Sequence, residues 1–165
     1  MTERVYLALG GNLGDRRANL IAALRALPDF APVKRLSRLY ETAPMYVADQ
    51  PAFLNMAVEA ETDLSPMDLL DRLKTLETEI GRVPSVVNGP RAIDLDILFY
   101  GDATVDHGRL TIPHPRLAER AFVLAPLGDI APDFVGPGLD ATIAELLAVV
   151  PGRDTVVVVA PLDMD

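Results

Sequence analysis

The chain has 165 residues, half of them hydrophobic and 24% charged, with a formal net charge of −9. Such a composition predicts one globular domain over residues 1–165, with enough apolar mass for a full core, and an acidic balance of this size excludes a general nucleic-acid binder. Cysteine is absent, which excludes disulfides, thiolate metal sites and a cysteine nucleophile.

Val5 to Leu9 is a short apolar run closed by Gly10-Gly11 and reads as a buried strand. The acid at position 3 and the brevity of this run do not fit a signal peptide, and no apolar stretch reaches membrane-spanning length; a cytoplasmic protein without membrane partners is expected. A helix is predicted from Asp15 to Leu27, with Leu20, Leu24 and Leu27 on one face and Pro28 as its stop. Val33 to Tyr40 and Phe53 to Thr62 read as strands flanking a proline-containing loop. Ser65-Pro66 opens a second helix whose face is Leu69, Leu73, Leu76 and Ile80, ended by Gly81. Ile93 to Tyr100 is a further strand. The order strand–helix–strand–strand–helix–strand is that of a split βαβ arrangement: an α+β, ferredoxin-like βαββαβ antiparallel sheet. A C-terminal extension follows, with short helices at Arg116–Leu124 and Ala141–Val149 and a valine-rich strand at Thr155–Val159, which would complete α/β/α layers.

The strand after Gly89-Pro90-Arg91 carries the most chemistry. Ile93, Leu95 and Ile97 alternate with Asp94 and Asp96, so the aliphatics enter a core while both carboxylates leave by the opposite face, about 6.6 Å apart at the backbone. Two such charges suit a hard divalent cation that keeps phosphate as a further ligand, with Arg91 just upstream to reach that phosphate. A solvated acidic face on an edge strand is the alternative, which the scarcity of aspartate in strands disfavours. Arg82, Arg91, Arg109, Arg116 and Arg120 fall in a stretch without lysine, an arginine cluster suited to a nucleotide. Phe53 and Asn55 share one strand face, where a ring and a carboxamide can hold a flat heterocycle; a core phenylalanine beside a strand-end asparagine would look the same. Gly10-Gly11-Asn12-Leu13-Gly14-Asp15 matches neither a dinucleotide fingerprint nor a P-loop and reads as a tight turn with a polar helix cap. His114 has no nucleophile to activate and suits phosphate hydrogen bonding better than base catalysis.

Together these segments resemble the 6-hydroxymethyl-7,8-dihydropterin pyrophosphokinases. The resemblance runs from about Val5 to Pro132, through Leu-Gly-Gly-Asn-Leu-Gly-Asp, Tyr40-Glu41-Thr42, Asp-Gln-Pro-Ala-Phe-Leu-Asn, Gly-Pro-Arg-Ala-Ile-Asp-Leu-Asp-Ile-Leu, Ile-Pro-His-Pro-Arg and Arg-Ala-Phe-Val-Leu-Ala-Pro-Leu. It implies transfer of the β,γ-diphosphate of ATP, the co-substrate, to the pterin hydroxymethyl group with release of AMP. It implies that Asp94 and Asp96 hold two Mg²⁺ ions and that Arg82 and Arg91 contact the transferred phosphates as catalytic groups. Glu77, Ile97, Arg109, Thr111, His114 and Arg120 join Arg82 and Arg91 on the ATP side. Phe53 and Phe122 enclose the pterin, read at its edge by Asn55 and by groups around Thr42, Ala43 and Met45. A monomer acting on small molecules is expected.

The chain departs from the family at Val83–Asn88. Pro84 and Val87 stand where basic residues are usual, and Asn88 where a tryptophan is. That departure raises the alternative of a catalytically impaired pterin- and nucleotide-binding homologue. A different metal-dependent transferase on a similar sheet would leave Phe53, Asn55 and Phe122 without a role.

Overall fold

The computed structural model describes residues 2–43, 49–81 and 90–164. Strand β1 (Glu3–Gly11) leads to helix α1 (Arg16–Ala26), which Asp15 caps by accepting the Ala18 N–H. Strands β2 (Val33–Leu36), β3 (Leu39–Thr42) and β4 (Phe53–Thr62) precede helix α2 (Pro66–Ile80) and strand β5 (Asp94–Tyr100). Ser65 caps α2 through the Asp68 N–H, and Gly81 at φ 129° ends it. The pair β6 (Val105–His107) and β7 (Leu110–Ile112) forms a separate hairpin, followed by α3 (Ala121–Ile130), α4 (Ile143–Val149) and β8 (Val156–Val159).

The main sheet runs β5-β1-β4-β3-β8, antiparallel throughout, with β2 also pairing β4. This is the expected ferredoxin-like arrangement, extended by β8. Helices α1 and α2 pack on one face through Leu20, Ala23, Leu24, Leu69, Leu73 and Leu76, against Val5, Leu7, Leu9, Val58, Leu95 and Ile97. Helices α3 and α4 cover part of the other face, where Val123, Leu124, Leu127 and Ile143 meet Tyr6, Ala57, Leu98 and Phe99. The period-2 rule thus gives each central strand one side for each core.

The structure departs from the sequence reading in four places. The predicted strand Val33–Tyr40 is two strands, because Ser37 turns its hydroxyl into the sheet to accept the Ala57 N–H and the ladder with β4 restarts at Tyr40. Strand β1 continues through Gly10 and Gly11 instead of stopping at them. Residues 116–124 divide into a 3₁₀ turn, Leu117–Glu119, and the start of the longer α3. The hairpin β6–β7 turns at Gly108, whose φ of 45° favours glycine, and its strands are too short to carry a periodic signal. In β5 a bulge between the pairs Tyr6–Phe99 and Leu7–Ile97 puts Leu98 and Phe99 in the same core, after the alternation that places Asp94 and Asp96.

Candidate functional site

The α3 cover stops short of the ends of β1, β4 and β5, leaving an open cavity of about 740 Å³ counting the space at its mouth. The β3–β4 side of the sheet supplies Thr42, Ala43, Phe53 and Asn55, the β5 side supplies Arg91, Asp94 and Asp96, and His114, Arg120 and Phe122 close the lining from the segment that runs into the first turn of α3. Ten of the candidate residues therefore share one cleft. Met45, Arg82 and the unusual loop Val83–Asn88 lie outside the described residues. The remaining four sit away from the cavity lining. Glu77 is buried under β5, and Ile97 packs in the core beneath α1 and α2. Arg109 is exposed and paired with Asp71, and Thr111 is exposed on β7.

The heterocycle end is preorganised. The Asn55 amide donates to the Thr42 hydroxyl at 2.9 Å, and both residues are buried. Tyr40 pairs with Asn55 and Thr42 with Phe53 across β3 and β4, so ladder bonds fix this corner. Gly10 lies against Asn55: a Cβ there would come within 2.5 Å of the Asn55 Oδ1. A side chain at position 10 would therefore displace the amide, which explains a glycine inside a strand.

At the polyanion end, β5 projects Asp94 and Asp96 onto the cavity face. Burial first, and then the charge and hydrogen bond of Asp94, push the Asp96 carboxyl up to about 7. The Arg91 Nε is 3.8 Å from Asp94 Oδ2, is buried, and has no hydrogen-bond partner among the described residues. Its guanidinium carbon sits 5.2 Å from the Phe53 ring centroid, so Arg91 bridges the two ends. Arg120 is placed similarly over Phe122, at 5.6 Å. Burial, and then the positive charge of Arg120, lower the pKa of His114, keeping its imidazole neutral near neutral pH.

The donor set fits a hard divalent cation. No group of three or more ligating side chains occurs among the described residues, so Asp94 and Asp96 would share such an ion with water and phosphate, a pattern typical of Mg²⁺. The buried Arg91 Nε, without a hydrogen bond among the described residues, is equally suited to an anion.

Sequence reasoning missed two features. Asn12 is buried and ties two segments together: its amide donates to Gln50 Oε1 at 2.8 Å and to the Pro51 carbonyl at 2.9 Å, and its Oδ1 accepts the Arg91 N–H at 2.9 Å. The Gly-Gly-Asn-Leu-Gly-Asp segment was legible as a turn, but its partners lie 38 and 79 residues away. Gly11 completes the junction, since a Cβ there would stand 2.2 Å from the Ala92 carbonyl oxygen. Lys74 is the second; its spacing to Glu77 is an ordinary helical ion pair, and only the fold brings it to β5.

Fold and cavity together define a ferredoxin-like α+β domain with an acid-and-arginine cleft on the open face of its sheet. Within that class, the chain belongs to the 7,8-dihydro-6-hydroxymethylpterin-pyrophosphokinase (HPPK) family, whose model matches residues 6–132. It is 46% identical over 154 residues to the 2-amino-4-hydroxy-6-hydroxymethyldihydropteridine pyrophosphokinase of Pseudomonas aeruginosa, covering 92% of this chain and 94% of that protein. To the mitochondrial folate synthesis bifunctional protein of Pisum sativum it is 51% identical over 129 residues, 78% of this chain and 25% of that one. The chain spans only 19% to 25% of the length of that protein and of its relatives from Dictyostelium discoideum, Pneumocystis carinii and Arabidopsis thaliana. The crystal structure of wild-type Plasmodium falciparum HPPK-DHPS superposes with a TM-score of 0.73 at 18% identity, covering 90% of this chain and 44% of that one, a likeness of fold.

Proposed function

We propose that this chain transfers the β,γ-diphosphate of ATP to the hydroxymethyl oxygen of 6-hydroxymethyl-7,8-dihydropterin. The pterin oxygen forms a bond to the β-phosphorus and gives its proton to water, the bond from that phosphorus to the α,β-bridging oxygen breaks, and AMP leaves with that oxygen. The observation that carries this reading is the joining of two unlike ends in one cleft. An aromatic and carboxamide corner suited to a pterin opens directly onto a carboxylate and arginine corner suited to a polyphosphate. Family membership and the relative from Pseudomonas aeruginosa support the same reaction.

In this reading Phe53 and Phe122 sandwich the pterin, Asn55 and Thr42 read its edge, and backbone groups at Ala43 and Met45 complete the contact. Arg91 binds the transferred phosphates from beside the pterin, together with Arg82. His114 and Arg120 hold the nucleotide, with neutral His114 donating one hydrogen bond. Arg109, Thr111, Glu77 and Ile97 complete the nucleotide side; Arg109 would exchange Asp71 for the ligand, and Ile97 would act through its backbone. Two Mg²⁺ ions held by Asp94 and Asp96 would neutralise charge on the triphosphate and stabilise the attacking and leaving oxygens. Positioning and charge neutralisation account for most phosphoryl-transfer catalysis, so the site requires no strong general base. We further propose a monomer acting in the cytoplasm; no described helix is long and apolar enough to cross a membrane. No observation among the described residues favours the impaired alternative.

The test uses ATP, Mg²⁺ and 6-hydroxymethyl-7,8-dihydropterin. AMP release should require all three, and Asp94→Ala or Asp96→Ala should reduce it on the order of 10²-fold or more, as expected when a preorganised electrostatic group is lost. An Asp96→Ala enzyme with most of its turnover would overturn the metal assignment, and a wild-type enzyme releasing no AMP would overturn the function.

A further inference from the structure

Among the described residues strand β5 ends the sheet, and the edge facing away from β1 has no strand there to satisfy its backbone. At Leu95 helix α2 supplies the partners. Glu77 Oε2 accepts the Leu95 N–H at 2.7 Å, and Lys74 Nζ donates to the Leu95 carbonyl at 3.5 Å. The two side chains also meet each other at 3.1 Å, three residues apart on the helix.

The peptide planes involved make this grip significant. The Leu95 N–H belongs to the plane shared with Asp94, and the Leu95 carbonyl to the plane shared with Asp96. The two planes between the cavity carboxylates are thus each held by one member of the ion pair, while Asp94 and Asp96 themselves pair with Gly10 and Ala8 of β1. Fixing both planes fixes the directions in which the two aspartate side chains leave the strand. The Glu77 side chain is 4% exposed, on a helix face otherwise built from Leu69, Leu73 and Leu76. Burying a carboxylate there against a half-exposed lysine stabilises less than a well-packed leucine would, so stability alone does not account for the choice.

We infer that Glu77 and Lys74 are positioning residues for the Asp94–Asp96 pair, gripping the Leu95 backbone so that the two carboxylates meet the metal-bound triphosphate at a fixed spacing. The inference rests on the role proposed above for Asp94 and Asp96. It gives Glu77 an effect that runs through the strand and brings in Lys74, whose side chain is 44% exposed and free of any catalytic contact in this scheme.

The experiment compares wild type with Glu77→Leu, Glu77→Gln and Lys74→Met. Hydrogen exchange at the Leu95 amide reads the grip. Calorimetry with Mg²⁺ and a non-hydrolysable ATP analogue reads the metal–nucleotide end, and a separate pterin titration without nucleotide reads the other. Glu77→Leu should accelerate Leu95 exchange and weaken binding of the Mg²⁺–analogue complex by about 10- to 100-fold, the range for losing a group that orients a metal ligand. Pterin affinity should stay within about twofold. Glu77→Gln, which keeps an acceptor for the Leu95 N–H, should restore slow exchange and most of the affinity, and Lys74→Met should show a smaller loss of the same kind. The inference is overturned if Leu95 exchanges as slowly in Glu77→Leu as in wild type. It is also overturned if exchange accelerates while analogue affinity holds, or if pterin and analogue affinities fall together. Should wild type bind the analogue equally well without Mg²⁺, the reading of Asp94 and Asp96 itself fails, before any variant is made.

Discussion

Beneath α1 and α2 the sheet is sealed by aliphatic side chains, whereas on its other face the α3 cover ends early and leaves Asn55, Thr42, Asp94, Asp96 and Arg91 around an open cleft. The same strands build both regions. In β5, Leu95 belongs to the sealed face and its neighbours Asp94 and Asp96 to the open one; in β4, Leu54 and Asn55 divide the same way. Alternation lets one strand serve stability and chemistry separately, one residue apart. The open face keeps groups that a core would reject: a buried Nε with no hydrogen-bond partner among the described residues, a carboxyl with raised pKa, and glycines where any side chain would strike a ligand-facing group or the backbone. A substitution on one face should therefore leave the other largely unaffected.

The largest stability effect is expected on the sealed face. Leu73 is fully buried there, and Leu73→Ala should destabilise the fold by about 2–5 kcal/mol through lost burial and a residual cavity. In denaturant titrations the midpoint should fall, while the folded fraction retains normal ligand affinities. If pterin or nucleotide affinity fell in proportion to stability, the two faces would not be independent.

A smaller effect, confined to binding, is expected at the heterocycle corner. Asn55→Ala should weaken pterin binding by about 1–3 kcal/mol, because edge groups of the ligand lose their partners inside a buried pocket. Gly10→Ala should act in the same direction by pushing the Asn55 amide aside. Nucleotide affinity should change little in both, and calorimetry showing the reverse pattern would place the pterin at the wrong end of the cleft.

The smallest effect concerns pH in the ligand-free protein. The Asp96 carboxyl is raised in the fold, so its stabilising contribution is fully present below the ordinary carboxylate value of about 4 and is lost as pH climbs through its raised value of about 7. Without metal or nucleotide, Asp96→Asn should therefore melt higher than wild type at pH 8, with the gap closing toward pH 4. A gap independent of pH would mean that Asp96 does not experience the buried, like-charged surroundings described here.

Much of this was legible in sequence because local periodicity and the site motif coincide. The Asp94 and Asp96 alternation predicts both the strand and the face of it that lines the cavity, and Ser65-Pro66 with Gly81 brackets α2 within a residue. Boundaries failed where long-range contacts decide them. Ser37 divides a strand by bonding to Ala57, and Gly10-Gly11 continue one because Ala92 and Asn55 come too close for any Cβ. Alternation, the arginine cluster and the lone His114 pointed to Arg91, Asp94, Asp96, Phe53, Asn55, His114 and Arg120 of the cleft, and the family resemblance added Thr42, Ala43 and Phe122; neither could indicate that Asn12 joins the loops around Gln50 and Arg91, or that Lys74 reaches Leu95. Those contacts span sequence separations that no window of residues contains.

The central claim is that the open face moves a diphosphate as one unit from nucleotide to pterin. It is tested most directly by rapid quenching of wild-type enzyme with Mg²⁺, pterin and ATP labelled in turn on the α- and the γ-phosphorus. The account predicts that the α-label appears only in AMP and the γ-label only in a pterin diphosphate, with both products formed in equal amounts. Release of ADP with a pterin monophosphate, or of labelled inorganic phosphate without a pterin product, would contradict it.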